Sequence, residues 1–114
     1  MSKVEYGSIS LVSTGNKTPT LFDDTLVVEA VVLWVSSSST ESSAGFFDSS
    51  KTFTGSSAYS DENNTKAITH YRNIGGTKTK VVEATVTGLG VGEFDINVST
   101  LSTSTVLNFV VFGS

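Results

Sequence analysis

The chain has no cysteine. Disulfide frameworks and thiolate metal sites are therefore excluded. It has a single histidine, His70, so histidine-dependent chemistry can run through one position only. Charged residues are 16% of the 114, and the net charge is −4. That balance argues against wrapping nucleic acid, because phosphate binding needs a basic surface. No apolar run approaches the roughly 20 residues that a membrane-spanning helix requires, so no membrane partner is expected. Met1 to Tyr6 carries neither an apolar run nor a cleavage site, and no signal peptide is expected from it. The one proline is Pro19. No segment has helical periodicity.

What is present is hydroxyl and β-branched carbon. Ser and Thr together make up nearly a third of the chain. Thr favours strands and Ser favours turns. The most apolar stretch is Leu26 to Val35, with five valines and Trp34. Such side chains suit a pleated surface and lose χ1 freedom in a helix. It reads as a central strand covered on both faces, with Trp34 in the core. Thr105 to Phe112 is equally apolar and is expected beside it. Val4 to Ser13 alternates, with Val4, Tyr6 and Ser8 on one face, Ile9 and Leu11 on the other, and a bulge expected at Gly7 or Ser8. Thr14 to Pro19 is a turn cluster. Ser36 to Ser43 and Gly55 to Asn64 read as exposed polar loops, the first of them mobile. Short strands flank an Asp48-Ser49-Ser50 turn. Thr65 to Asn73 alternates and turns back at Gly75-Gly76. Lys78 to Thr87 follows, with Val82, Ala84 and Val86 on one face. Gly88 to Gly92 reads as a turn, not a phosphate loop, since such a loop opens a helix and carries Lys-Ser or Lys-Thr. After it, Phe94, Ile96 and Val98 alternate with Glu93, Asp95 and Asn97. One domain over 1–114 is expected, all-β, an antiparallel β-sandwich of jelly-roll-like form with seven to eight strands.

The search for chemistry returns little. A Ser-His-Asp arrangement needs His70 near a nucleophile and a carboxylate. Serine is so common here that false partners abound, and a surface or partly packed strand histidine is the expected reading. Asp61-Glu62-Asn63-Asn64 and Asp23-Asp24 offer oxygen ligands, but neither spacing matches a calcium loop, and solvated loops are expected. The acids select no glycosidase pair. Asn16-Lys17-Thr18, Asn63-Asn64-Thr65 and Asn97-Val98-Ser99 fit the glycosylation pattern and read as accidents of an Asn- and Thr-rich chain. Tyr59 is the aromatic expected to be partly exposed, as a contact residue. The expectation is no enzyme, no cofactor and no metal site.

Val27-Val28-Glu29-Ala30-Val31-Val32-Leu33-Trp34 resembles a pattern in small β-sandwich virion proteins of tailed bacteriophages. So do Val82-Glu83-Ala84-Thr85-Val86, Gly92-Glu93-Phe94-Asp95-Ile96-Asn97-Val98 and the closing Val106-Leu107-Asn108-Phe109-Val110-Val111-Phe112-Gly113. The chain departs from that pattern where Glu29 stands near an expected proline and where Glu93 separates the glycine from Phe94. The resemblance implies a capsid decoration protein on the outer shell of a virion, made in the host cytoplasm. Its partners would be the major capsid protein or other virion subunits, and it would self-associate, with a trimer favoured. The alternative is a tail-fibre or adhesin-type module that binds surface glycans. Contacts are expected from the two polar loops and the N-terminal segment, through Tyr6, Ser38, Glu41, Tyr59, Asp61 and Asn63.

Overall fold

Alternating apolar and polar residues become strands along most of the chain. A computed structural model describes residues 2–38, 41–56, 62–63 and 65–114, with the side chains of Ser38, Phe53, Ser56, Glu62 and Asn63 outside the description. Among the described residues the strands are β1 (Lys3–Leu11), β2 (Gly15–Lys17), β3 (Val28–Ser38), β4 (Glu41–Asp48), β5 (Thr52–Ser56), β6 (Glu62–Asn63), β7 (Ile68–Ile74), β8 (Thr77–Leu89), β9 (Phe94–Leu101) and β10 (Thr105–Gly113). They form two antiparallel sheets, β1-β10-β3-β4-β5-β6 and β2-β9-β8-β7. The architecture is an all-β sandwich. Two of the ten strands, β2 and β6, are only three and two residues long, and the longer ones match the expected seven to eight.

The jelly-roll-like character lies in the outer strands. β1 pairs with β10 in one sheet while their chain neighbours β2 and β9 pair in the other. The inner strands run as meanders, β3 to β6 in the larger sheet and β7 to β9 in the smaller. The two apolar stretches are neighbours, as expected, with Val31 opposite Val111 and Leu33 opposite Phe109. Between the sheets lie Leu11, Val31, Leu33, Val35, Ile68, Val82, Phe94, Ile96, Leu107 and Val111, all buried. Phe94 meets Phe109 edge-on, with ring centroids 5.2 Å apart.

Several expectations are corrected. β3 is covered fully on one face only. Val31, Leu33 and Val35 are buried between the sheets, while Val32 and Trp34 are half-buried on the outside of the six-stranded sheet. Trp34 is thus not a core residue. In an antiparallel sandwich each sheet has one inner face, and among the described residues no second layer lies over Trp34. β1 carries no bulge, its register with β10 running unbroken from Lys3 to Leu11. Gly7 is there because the Phe109 ring fills the space of its side chain; a Cβ on Gly7 would stand 2.8 Å from Phe109 Cζ. Within the Thr14 to Pro19 cluster, Gly15 to Lys17 pairs with β9. In the serine-rich Ser36 to Ser43 stretch, residues 36–38 and 41–43 lie in paired strands, with Ser36 opposite Ser42 and Ser43 buried, and residues 39–40 lie outside the described residues. Strand pairing and hydrogen bonds from Ser37 and Ser43 hold the described part of this stretch, where composition alone suggested a loop.

The Gly75-Gly76 reversal forms as expected, both glycines at positive φ (59° and 84°), the geometry a tight hairpin turn demands. At the far end of the sandwich, Gly92 sits at φ 71° against the Asp24 backbone. Leu21 N–H donates to Gly92 O at 2.8 Å and Gly92 N–H to Leu26 O at 2.7 Å. These bonds stitch the segment before β3 to the turn before β9.

One open edge faces the other sheet. β7 borders the smaller sheet, and its outward N–H groups are met by side chains from β4 and β5. Thr69 N–H donates to Thr54 Oγ1 at 3.1 Å, and Asn73 N–H to Glu41 Oε2 at 2.6 Å. These two bonds occupy N–H groups of the edge that would otherwise be open to further strand pairing.

Candidate functional site

Two places stand out, one a surface and one a cluster. The surface is the outside of the six-stranded sheet. Residues directly opposite on paired strands share a face. Tyr6, Val110, Val32 and Phe46 therefore form one row across β1, β10, β3 and β4. Ser8, Asn108, Trp34 and Ala44 form the next row, and Val4, Phe112 and Ala30 a third. None of these residues is charged. Tyr6 is 81% exposed and Val4 62%. The third row ends at Asp48. Its carboxylate accepts the Ser50 N–H and hydroxyl and the Lys51 N–H, which holds its pKa below the ordinary value.

Beside the β1 edge stands Phe22, fully exposed. Its turn is braced. Both oxygens of Glu5 accept backbone N–H groups, from Phe22 at 2.7 Å and Asp23 at 2.9 Å. Asp23 in turn accepts from Thr25 N–H and Oγ1 and pairs with Lys3 at 3.6 Å. Those contacts, the Thr25 hydroxyl first, lower the Asp23 pKa.

The cluster lies at the opposite end, where the β3–β4 hairpin meets β7. Ile68 and His70 alternate onto the inner face of β7, and His70 is wholly buried. This corrects the expected surface or partly packed histidine. The register slips between Ser36 and Ser38, so Ser37 is the extra residue of a β-bulge, a device that re-aims a side chain. Ser37 Oγ lies 2.7 Å from His70 Nε2, and Ser43 Oγ lies 2.7 Å from His70 Nδ1. Ser43 is buried and Ser37 is exposed.

Burial lowers the His70 pKa; Glu41 opposes that shift and Arg72 adds to it. The ring is neutral at pH 7. A neutral imidazole carries one N–H and one lone pair. One serine hydroxyl thus donates to the ring and the other accepts from it. Arg72 Nε stands 3.7 Å from Glu41 Oε1. An open pocket of about 250 Å³ adjoins the cluster, walled by Ser37, Arg72, Val35, Val81, Val106 and Asn108 among others.

Of the contact residues expected from sequence, Tyr6 lies on the exposed outer face. Glu41 is half-buried and engaged with Arg72 and Asn73. The structure does not bring these two together: Tyr6 lies mid-strand in β1, in the row that reaches Phe46, whereas Glu41 is at the start of β4 beside β7. Tyr59 and Asp61, and the side chains of Ser38 and Asn63, lie outside the described residues. Sequence reading missed the outer face and both serines. The signal for the face was there: a run apolar at every position supplies side chains to both sides of a strand. Ser37 and Ser43 carried none, being two hydroxyls among many.

No family model, curated protein or solved structure matches this chain.

Proposed function

We propose that the protein is a virion structural protein, a capsid decoration protein that docks on the outer shell of a tailed phage through the outside of its six-stranded sheet. The observation that carries the reading is the uncharged, aromatic-bearing surface of Tyr6, Val32, Trp34, Phe46, Val110 and Phe112 across four adjacent strands. Burying apolar surface yields about 25 cal/mol per Å². Apart from Asp48 at the end of one row, the rows of this face carry no ionic group whose desolvation would oppose docking. The occupant it suits is an apolar patch presented by neighbouring capsid subunits. A protein that binds the assembled lattice and not free subunits stabilises the lattice by mass action. Self-association, as a trimer, would multiply these contacts through effective concentration. Phe22, held out on its braced turn, is a rigid aromatic anchor of the kind that dominates interface energetics.

Co-sedimentation with empty expanded heads of the phage encoding the protein tests this. Binding is expected, and it should persist from about 0.1 M to about 1 M salt, because an uncharged contact is not screened. Tyr6→Glu and Val4→Glu should abolish it while leaving the fold intact. Failure to bind expanded heads, or binding indifferent to both substitutions, removes the reading. Binding on a glycan array without head binding would favour the fibre-tip alternative.

A further inference from the structure

We propose that Ser37 is a nucleophile, activated by His70, that accepts the acyl group of small carboxylic esters entering the pocket beside the β3–β4 hairpin. The proposal does not rest on capsid docking; the pocket shares only Asn108 with the rows of the outer face named above.

Three observations meet here. Ser37 is exposed on the pocket wall, yet its Oγ is 2.7 Å from the Nε2 of a histidine with no solvent exposure. A β-bulge turns that hydroxyl toward the ring. The other ring nitrogen, Nδ1, is held at 2.7 Å by Ser43 Oγ. Nucleophile, base and a third group orienting the base are the recurring parts of an activated hydroxyl. A buried neutral imidazole needs a partner on each ring nitrogen; here one of the two partners, Ser37, is exposed on the wall of a pocket.

The chemistry requires the tautomer in which Nδ1–H donates to Ser43 Oγ and Nε2 accepts from Ser37 Oγ–H. Ser37 Oγ then attacks the ester carbonyl carbon, and its proton passes to Nε2. As the tetrahedral adduct collapses, the bond to the alcohol oxygen breaks and Nε2 returns the proton to that oxygen. Water repeats the sequence on the Ser37 ester, releasing the carboxylic acid and restoring the hydroxyl. Arg72 is the charged group among the lining residues, and its guanidinium, 3.7 Å from Glu41 Oε1 at Nε, is the candidate to offset the developing negative charge. Val35, Val81 and Val106 supply an apolar wall for a short acyl chain, and Asn108 a polar one for the alcohol side. Ser43 is a positioning residue. A hydroxyl stabilises imidazolium less than a carboxylate does, so turnover is slow and acylation is the step to observe.

The experiment treats the full-length protein with a fluorophosphonate probe and with p-nitrophenyl acetate, locating adducts by peptide mass. One adduct is expected, on Ser37, absent in Ser37→Ala. His70→Gln should slow its formation by about 100-fold or more, the usual worth of a general base. Because His70 is buried and that variant can fail to fold, Ser43→Ala gives the second reading. If Ser43 accepts from Nδ1–H, its loss slows labelling about tenfold and shifts the pH profile. The profile of the unaltered protein should rise to a plateau with an inflection below the ordinary histidine value of 6.5. No adduct at Ser37 would overturn the proposal. So would adducts spread evenly over many serines, or labelling that is unchanged or faster in Ser43→Ala.

Discussion

The two faces of the six-stranded sheet are built from the same kinds of residue and have opposite fates. On β3, Val31, Leu33 and Val35 meet the second sheet and are sealed; Val32 and Trp34, alternating with them, are half-open. On β10, Leu107, Phe109 and Val111 are buried, whereas Val106 is 52% exposed and Val110 and Phe112 are half-buried. Apolar character does not decide which face becomes the core. The inner face wins because the smaller sheet brings Ile68, Val82, Val86, Phe94 and Ile96 against it. Among the described residues, the outer face keeps its apolar residues without a layer above them, the feature on which the proposed docking rests.

Substitutions on neighbouring residues can break that comparison. Leu33→Ala, on the sealed face, should cost about 2–5 kcal/mol, the range for removing a fully buried leucine. Urea denaturation measures it. Val31→Thr keeps the shape and buries a hydroxyl without a partner, which costs about 1–3 kcal/mol. A third test concerns His70, the buried titrating group among the described residues. Burial lowers the folded pKa of His70 beneath its ordinary 6.5. The stability it contributes is therefore full above that value and declines as the pH falls below it, until the folded pKa is reached, because the unfolded chain binds the proton first. Glu41 and Arg72 are the charged groups acting on the ring, and they oppose one another. Urea midpoints measured between about pH 7.5 and about pH 5.5 should fall in the native protein and flatten in a folded His70→Gln variant. The smallest effect is Val32→Thr, one residue from Val31 on the open face. It should stay within about 0.5 kcal/mol, as surface changes do, yet weaken binding to capsid heads. If Val32→Thr destabilised as much as Val31→Thr, the outer face would be a second core.

Much of the architecture was legible. The alternation of Phe94, Ile96 and Val98, and of Val82, Ala84 and Val86, placed those residues inside. The Gly75-Gly76 and Asp48-Ser49-Ser50 turns were readable from residue type, since each needs either positive φ or a side chain that caps local N–H groups. The serine-rich hairpin was not. Its hydroxyls are held by cross-strand pairing with partners chosen by the fold, so composition pointed to a loop. Gly7 was read as a bulge because local sequence cannot show the Phe109 ring 102 residues away that occupies its space. The candidate cluster was half visible. His70 was noticed as the lone histidine, but Ser37 and Ser43 are hydroxyls among many until β3, β4 and β7 converge.

By itself the order of residues determined that this chain makes short antiparallel strands, where they turn, and which side chains alternate together. These are local matters, governed by φ/ψ preference and by the two-residue period of a strand. Only the tertiary structure decided which of two apolar faces of β3 and β10 was sealed, and which two serines bracket the histidine. Both depend on contacts between segments distant in the chain, where burial and hydrogen-bond satisfaction are settled jointly by both sheets.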